Sequence, residues 1–126
     1  MNTPENLKYS KSHEWLEILP DGAARIGITD FAQSQLGDIV FVNLPDPGDE
    51  MTTGGRLADV ESVKAVSDIF SPVSGRVREV NEALGDAPEA INQNPYGAWL
   101  AVIENVGETE ELLDAAAYAA FCEEEG

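Results

Sequence analysis

Basic residues are scarce in this sequence, and it has one cysteine and one histidine; each scarcity excludes a class of protein. Lys and Arg total 7 against 24 Asp and Glu, a formal net charge of −17. Nucleic-acid binding requires clustered cations to neutralise phosphates, so that class is excluded as the default. Cys122 alone allows no intramolecular disulfide, and with His13 as the sole histidine no Cys/His zinc site can be assembled. Such cysteine usage fits a reducing compartment. No run of about 18 apolar residues occurs, so no membrane span is expected. Residues 1–6 carry neither the basic and apolar regions of a signal peptide nor an Arg-rich amphipathic stretch, and a cytoplasmic location is expected.

Hydrophobic residues nevertheless make up 43% of the chain and are spread along it, unlike those of a disordered acidic tail. The length fits one domain over residues 1–126. Pro20-Asp21-Gly22 between His13–Leu19 and Ala23–Ile28 suggests a hairpin. Thr29 and Asp30 are N-cap types ahead of Phe31–Leu36, and Gly37 suits the position after a helix, so one or two helical turns are expected. Asp38–Leu44 is β-branched and aromatic, and Pro45–Asp49 ends it. Arg76–Val80 and Trp99–Ile103 read as strands, with Asn81–Asn94 between them loop-like apart from one helical turn at Pro88–Ile91. A C-terminal helix is expected over about 114–124, capped by Asp114 and stapled by Leu113 and Tyr118. Glu123-Glu124-Glu125 opposes the helix dipole there, which predicts fraying. The pattern is mainly β: a small sandwich or barrel with short helices and a C-terminal helix.

From Arg56 to Phe70 the strand signal runs without Gly or Pro, far beyond the usual strand of about 5–6 residues, so a bend must lie inside it. Residues 61–68, Glu-Ser-Val-Lys-Ala-Val-Ser-Asp, are nearly symmetric about Lys64-Ala65. With those two as the loop, Val63 faces Val66, Ser62 faces Ser67, Glu61 faces Asp68 and Val60 faces Ile69. That register has two costs. Lys-Ala does not favour the positive φ of a two-residue loop, and two carboxylates oppose each other at up to about 1 kcal/mol. Local rules tend to be broken at functional sites, which makes Lys64 a candidate for a task at a hairpin tip. Spacing alone leaves open an ordinary solvated turn lysine.

The segment Val60-Glu61-Ser62-Val63-Lys64-Ala65, followed by Ser71-Pro72-Val73-Ser74-Gly75, closely resembles the lipoyl-attachment region of the glycine cleavage system H-protein family. Ser12-His13-Glu14-Trp15, residues 27–29, residues 36–45, residues 81–84 and Asn94-Pro95-Tyr96 resemble the same family, from about Leu7 to Glu125. A biotin carrier would be expected to show Met-Lys-Met at the tip, and lipoyl domains of 2-oxoacid dehydrogenases lack the His-Glu-Trp segment. The resemblance implies a lipoyl/biotinyl-type barrel-sandwich hybrid, with a hairpin over residues 57–70 presenting Lys64 for covalent lipoylation. Glu61, Ser62, Val63 and Ala65 would form the context read by a lipoate ligase or a lipoyl/octanoyl transferase.

The resemblance also implies a non-catalytic carrier. A pyridoxal-phosphate glycine decarboxylase (P-protein) would load an aminomethyl group onto the lipoyl arm. An aminomethyltransferase (T-protein) would pass the methylene to tetrahydrofolate, and a dihydrolipoyl dehydrogenase (L-protein) would reoxidise the dithiol. The loaded arm is expected to fold into a cleft, its cationic amine held by Ser12, Glu14 and Asp68. Lipoate relay to other complexes by the same modified lysine is the alternative role. An enzyme with Cys122 as nucleophile and His13 as base is disfavoured by acidic surroundings and the want of a third partner; both residues read as structural. Pro95-Tyr96-Gly97-Ala98-Trp99 departs from the family pattern, in which Gly directly precedes the Trp, and no role follows for Arg56. The acidity fits a soluble monomer that meets several enzymes in turn.

Overall fold

The computed structural model describes residues 3–125. Among these described residues nine strands form: β1 (Lys8–Tyr9), β2 (Glu14–Ile18), β3 (Ala24–Ile28), β4 (Ile39–Asn43), β5 (Glu50–Met51), β6 (Arg56–Ser62), β7 (Val66–Phe70), β8 (Gly75–Val80) and β9 (Ala101–Glu104). Four helices accompany them: α1 (Asp30–Leu36), α2 (Ala83–Asp86), α3 (Ala90–Gln93) and α4 (Ala115–Glu125). One sheet has the order β1-β2-β3-β9-β8-β5 and the other β4-β6-β7, with every pairing antiparallel. This is the mainly β, two-sheet architecture with a C-terminal helix that the residue pattern implies. No helix among the described residues is long and apolar enough to cross a membrane.

Period-two alternation divides the side chains of the larger sheet between two cores. Leu16, Ile26 and Ile28 pack with Ile39, Val60 and Ile69 between the sheets. Trp15, the neighbour of Leu16, points to the opposite face, where it joins Leu7, Tyr9, Tyr118 and Cys122 under α4. Gly27 pairs with Trp15 across the strands, and the indole lies flush on it: a Cβ there would stand 2.6 Å from three ring atoms. Trp15 Nε1–H donates to Pro95 O at 3.1 Å, and the Tyr96 hydroxyl oxygen accepts the Asp30 N–H at 3.2 Å, so the divergent loop at 95–99 is tied to β2 and to α1.

Several local expectations hold. Thr29 caps α1 by accepting the Ala32 N–H, Gly37 ends it at φ +81°, and Asp114 caps α4 through the Ala117 N–H. Others are corrected. His13 lies outside the strand at φ +73°, because a tight turn at residues 10–14 is closed by Ser10 N–H to Glu14 O and His13 N–H to Ser10 O. The single turn expected at Pro88–Ile91 falls at Ala90–Gln93 as α3 and is preceded by a second, α2, and the last strand begins at Ala101, later than Trp99. The end of α4 is not left free, since Glu125 Oε2 lies 2.7 Å from His13 Nε2. Gly27→Ala is expected to destabilise the fold by about 1–3 kcal/mol through overpacking against Trp15, seen as a lower urea midpoint with unchanged slope.

Candidate functional site

The hairpin of β6 and β7 closes through Ser62, with Glu61 paired to Val66 and the loop formed by Ser62–Ala65. Ser62 Oγ accepts the Lys64 and Ala65 N–H groups, both at 3.1 Å, and the Ser62 N–H donates to Ala65 O at 2.8 Å. A serine side chain thus satisfies the turn's donors, and neither Lys64 nor Ala65 takes a positive φ. The expected two-residue loop is therefore wrong. Val63 does not face Val66, and the pairs Ser62–Ser67, Glu61–Asp68 and Val60–Ile69 give way to Val60–Ser67, Asp59–Asp68 and Ala58–Ile69. A two-residue shift keeps each side chain on its face, so Val60 and Ile69 remain buried. Carboxylates still oppose each other, and here Arg56 finds its role: its Nη1 lies 3.0 Å from Asp59 and 3.8 Å from Asp68.

Lys64 is exposed at this tip. Its aliphatic stem runs past Gly37, where a Cβ would meet Lys64 Cε at 3.4 Å. Val63 N–H donates to Asp38 O at 3.1 Å and seats the loop on the segment leaving α1. Between α1 and β7 lies a cavity of about 150 Å³, lined by Ser12, Phe31, Leu36, Ser67, Asp68 and Ile69 among others. Its wall is largely apolar, with polar groups supplied by Ser12, His13, Gln35, Ser67 and Asp68.

Glu14 stands one hydrogen bond behind that wall, at 1% exposure. Its Oε1 accepts the Ser10 hydroxyl at 2.6 Å and the Ser12 hydroxyl at 2.5 Å, and Oε2 accepts the Phe70 N–H at 3.3 Å. Among the described residues no cation forms an ion pair with it. Burial pushes its pKa up to about 7, with a further push from the charge of Glu110, against the pull of the three hydrogen bonds. Of the three residues expected at the cleft, Ser12 and Asp68 line it, and Glu14 reaches it through Ser12. Ser10 was not foreseen; the alternation of hydroxyl, hydroxyl and carboxylate at 10, 12 and 14 was the available signal.

His13 is fully engaged: Nδ1 lies 2.7 Å from the Tyr118 hydroxyl, Nε2 2.7 Å from Glu125, and the ring stacks on Phe31. Neither nitrogen is available to Cys122, which is buried and whose thiol burial pushes up. These two residues form no nucleophile and base pair.

An exposed lysine at a hairpin tip, on a two-sheet β scaffold and beside a half-apolar cleft, defines the class of lipoyl-carrier domains with a barrel-sandwich fold. The family model "Glycine cleavage H-protein" matches residues 7–125, and the chain belongs to this family, the lipoyl carriers of the glycine cleavage system. It is 54% identical to the glycine cleavage system H protein of Geobacillus thermodenitrificans, over 98% of this chain and 99% of that protein. It is 54% identical to the probable glycine cleavage system H protein of Pyrococcus abyssi, over 93% of this chain and 90% of that protein. The crystal structure of a glycine cleavage system H protein from Mycobacterium marinum superposes with a TM-score of 0.87 at 43% identity, covering 93% of this chain and 96% of that one.

The Glu14 environment has a measurable signature. The folded state binds a proton at Glu14 more tightly than the unfolded chain, so stability falls as pH rises from 4.5 through about 7. Relative to Glu14→Gln, the wild-type unfolding free energy is expected to drop by about 3 kcal/mol across that window, measured by urea titration at fixed ionic strength.

Proposed function

We propose that Lys64 is the residue of this chain that carries lipoate, and that the chain acts as a single, non-catalytic carrier domain. The observation that carries this reading is the placement of the Lys64 stem against Gly37, next to Leu36 of a cleft backed by a buried carboxylate that pairs with no cation among the described residues. The site suits the group: a free primary amine for acylation, an apolar wall of Phe31, Leu36 and Ile69 for the arm, and a polar end at Ser12. When attached, the arm would supply a dithiolane, one sulfur of which takes up an aminomethyl group as the S–S bond is reduced; the dithiol left once the methylene is passed on would then be reoxidised.

The chain's own residues then hold and shield the cargo. Ser12 points its hydroxyl proton at Glu14, so its lone pairs are free to accept from an ammonium in the cleft. Glu14 stabilises that cation from behind, and Asp68 adds a carboxylate at the rim. A cation in the cleft favours the ionised carboxylate, so the attraction strengthens as pH rises through about 7. The exposed context of Lys64, with Glu61, Val63 and Ala65 beside the Ser62 turn, is open to a lipoate ligase or a lipoyl/octanoyl transferase. The partners are glycine decarboxylase, aminomethyltransferase and dihydrolipoyl dehydrogenase.

Intact mass after expression with a lipoate ligase and lipoate is expected to rise in the wild type and to stay unchanged in Lys64→Arg. In fully lipoylated samples, Glu14→Gln is expected to lose the aminomethyl cargo roughly tenfold faster than wild type at pH 8, as one charge-assisted hydrogen bond network is lost. Wild-type retention should shorten as pH falls below about 7, and the variant should be flat over the same range. Equal retention in both chains at pH 8 would remove Glu14 from the site.

A further inference from the structure

Asn92, in α3, is placed where the sequence pattern shows only a loop. Its Oδ1 accepts the Ile39 N–H at 2.8 Å, and its Nδ2 donates to Gly37 O at 2.8 Å and to Gln33 Oε1 at 3.0 Å. A backbone N–H can only donate and a carbonyl can only accept, so these contacts settle the orientation of the amide. Gln33 is itself anchored, donating from Nε2 to Asp30 Oδ1 at 2.7 Å. One side chain thus clips the backbone on both sides of Asp38 and ties that clip to the body of α1.

The clipped segment is the one on which the lysine hairpin rests. Asp38 O accepts the Val63 N–H, Ile39 pairs with Ser62 across β4 and β6, and Gly37 underlies the Lys64 stem. The ladder between β4 and β6 is irregular between Ile39 and Phe41, so regular sheet pairing does not hold the stretch at this point. The same helix supplies Phe31, Ala32, Gln35 and Leu36 to the cleft. Rotation of the peptides flanking Asp38 would move the hairpin tip relative to the α1 wall.

We propose that Asn92 is a positioning residue that sets the Lys64 hairpin in register with the cleft by bridging Gly37 O and Ile39 N–H. It touches neither the lysine nor the cleft. Asn92→Asp isolates this role, because the isosteric carboxylate still accepts from Ile39 N–H yet has no hydrogen to offer Gly37 O or Gln33 Oε1. The cargo consequence rests on Lys64 carrying lipoate; the positional consequence does not.

The test is therefore read first on the unmodified chain, by amide hydrogen exchange resolved by residue. In Asn92→Asp and in Asn92→Ala the Val63 N–H is expected to exchange roughly tenfold faster, while the Ile103 N–H in the central strand changes less than twofold. An unchanged Val63 rate, or an equal rise at Val63 and Ile103, would overturn the proposal, the second result reducing Asn92 to a general stability role. In lipoylated chains, with Ser12 and Glu14 intact, Asn92→Asp should also shorten cargo retention, and retention equal to wild type would overturn the link to the cleft. Failure of Lys64 to gain mass would refute the attachment reading alone and leave the exchange result standing.

Discussion

The Glu14 carboxylate sits at the seam of the two sheets, and the site is arranged around keeping it there. It opens β2 in the larger sheet, yet it accepts a hydrogen bond from Phe70 at the end of β7 in the smaller one. A buried, uncompensated carboxylate costs several kcal/mol, and the chain offsets part of this with hydroxyls where an arginine would end the matter. Those hydroxyls converge because His13 takes a left-handed conformation, which curls residues 10–14 until Ser10 and Ser12 reach the same oxygen. A cation arriving from the cleft meets a carboxyl group that no side-chain cation among the described residues pairs with, and its arrival favours the ionised form.

The rest of the scaffold holds the two sides of the cleft at a set distance. On one side, Thr29 caps α1 and its hydroxyl also meets the Tyr118 hydroxyl of α4 at 2.7 Å, so the C-terminal helix braces the cleft wall from behind. Tyr118 stacks on Tyr9, and Tyr9 pairs with Leu113, which draws the approach to α4 onto the edge of the larger sheet. On the other side, Arg56 holds Asp59 and Asp68 together across the hairpin, leaving Asp68 half-exposed at the rim. Ordered polar bonds at element ends, more than the apolar core, define where the lysine stands.

What was legible in the sequence follows from the range of the interactions. Thr29, Gly37 and Asp114 are caps, whose partners lie three or four residues away, and the strands from β2 to β9 with β-branched or aromatic runs announce themselves. The bend inside 56–70 was also legible, because no strand that long fits the domain. Its register was not: choosing between a two-residue loop and one closed by Ser62 requires knowing that a hydroxyl folds back onto two amides. β1 and β5 were missed because two-residue strands exist only by pairing with distant neighbours. The contact of Glu125 with His13, more than a hundred residues upstream, was likewise beyond reach of the sequence pattern at the end of α4. At the cleft, Ser12, Glu14 and Asp68 were reached by resemblance, whereas Ser10 and the route from Glu14 through Ser12 needed coordinates.

The Ser62 turn has one more implication. Because the tip is built without a left-handed residue, its backbone imposes no steric selection at positions 64 and 65, and most side chains could stand there at no conformational penalty. A glycine-dependent turn would have confounded two requirements, shape and chemistry, at adjacent positions. Here the shape requirement is carried by a hydroxyl two residues earlier. Substitutions at residue 64 therefore report on the amine alone, and this tip can be re-dressed with other reactive side chains without redesigning the fold.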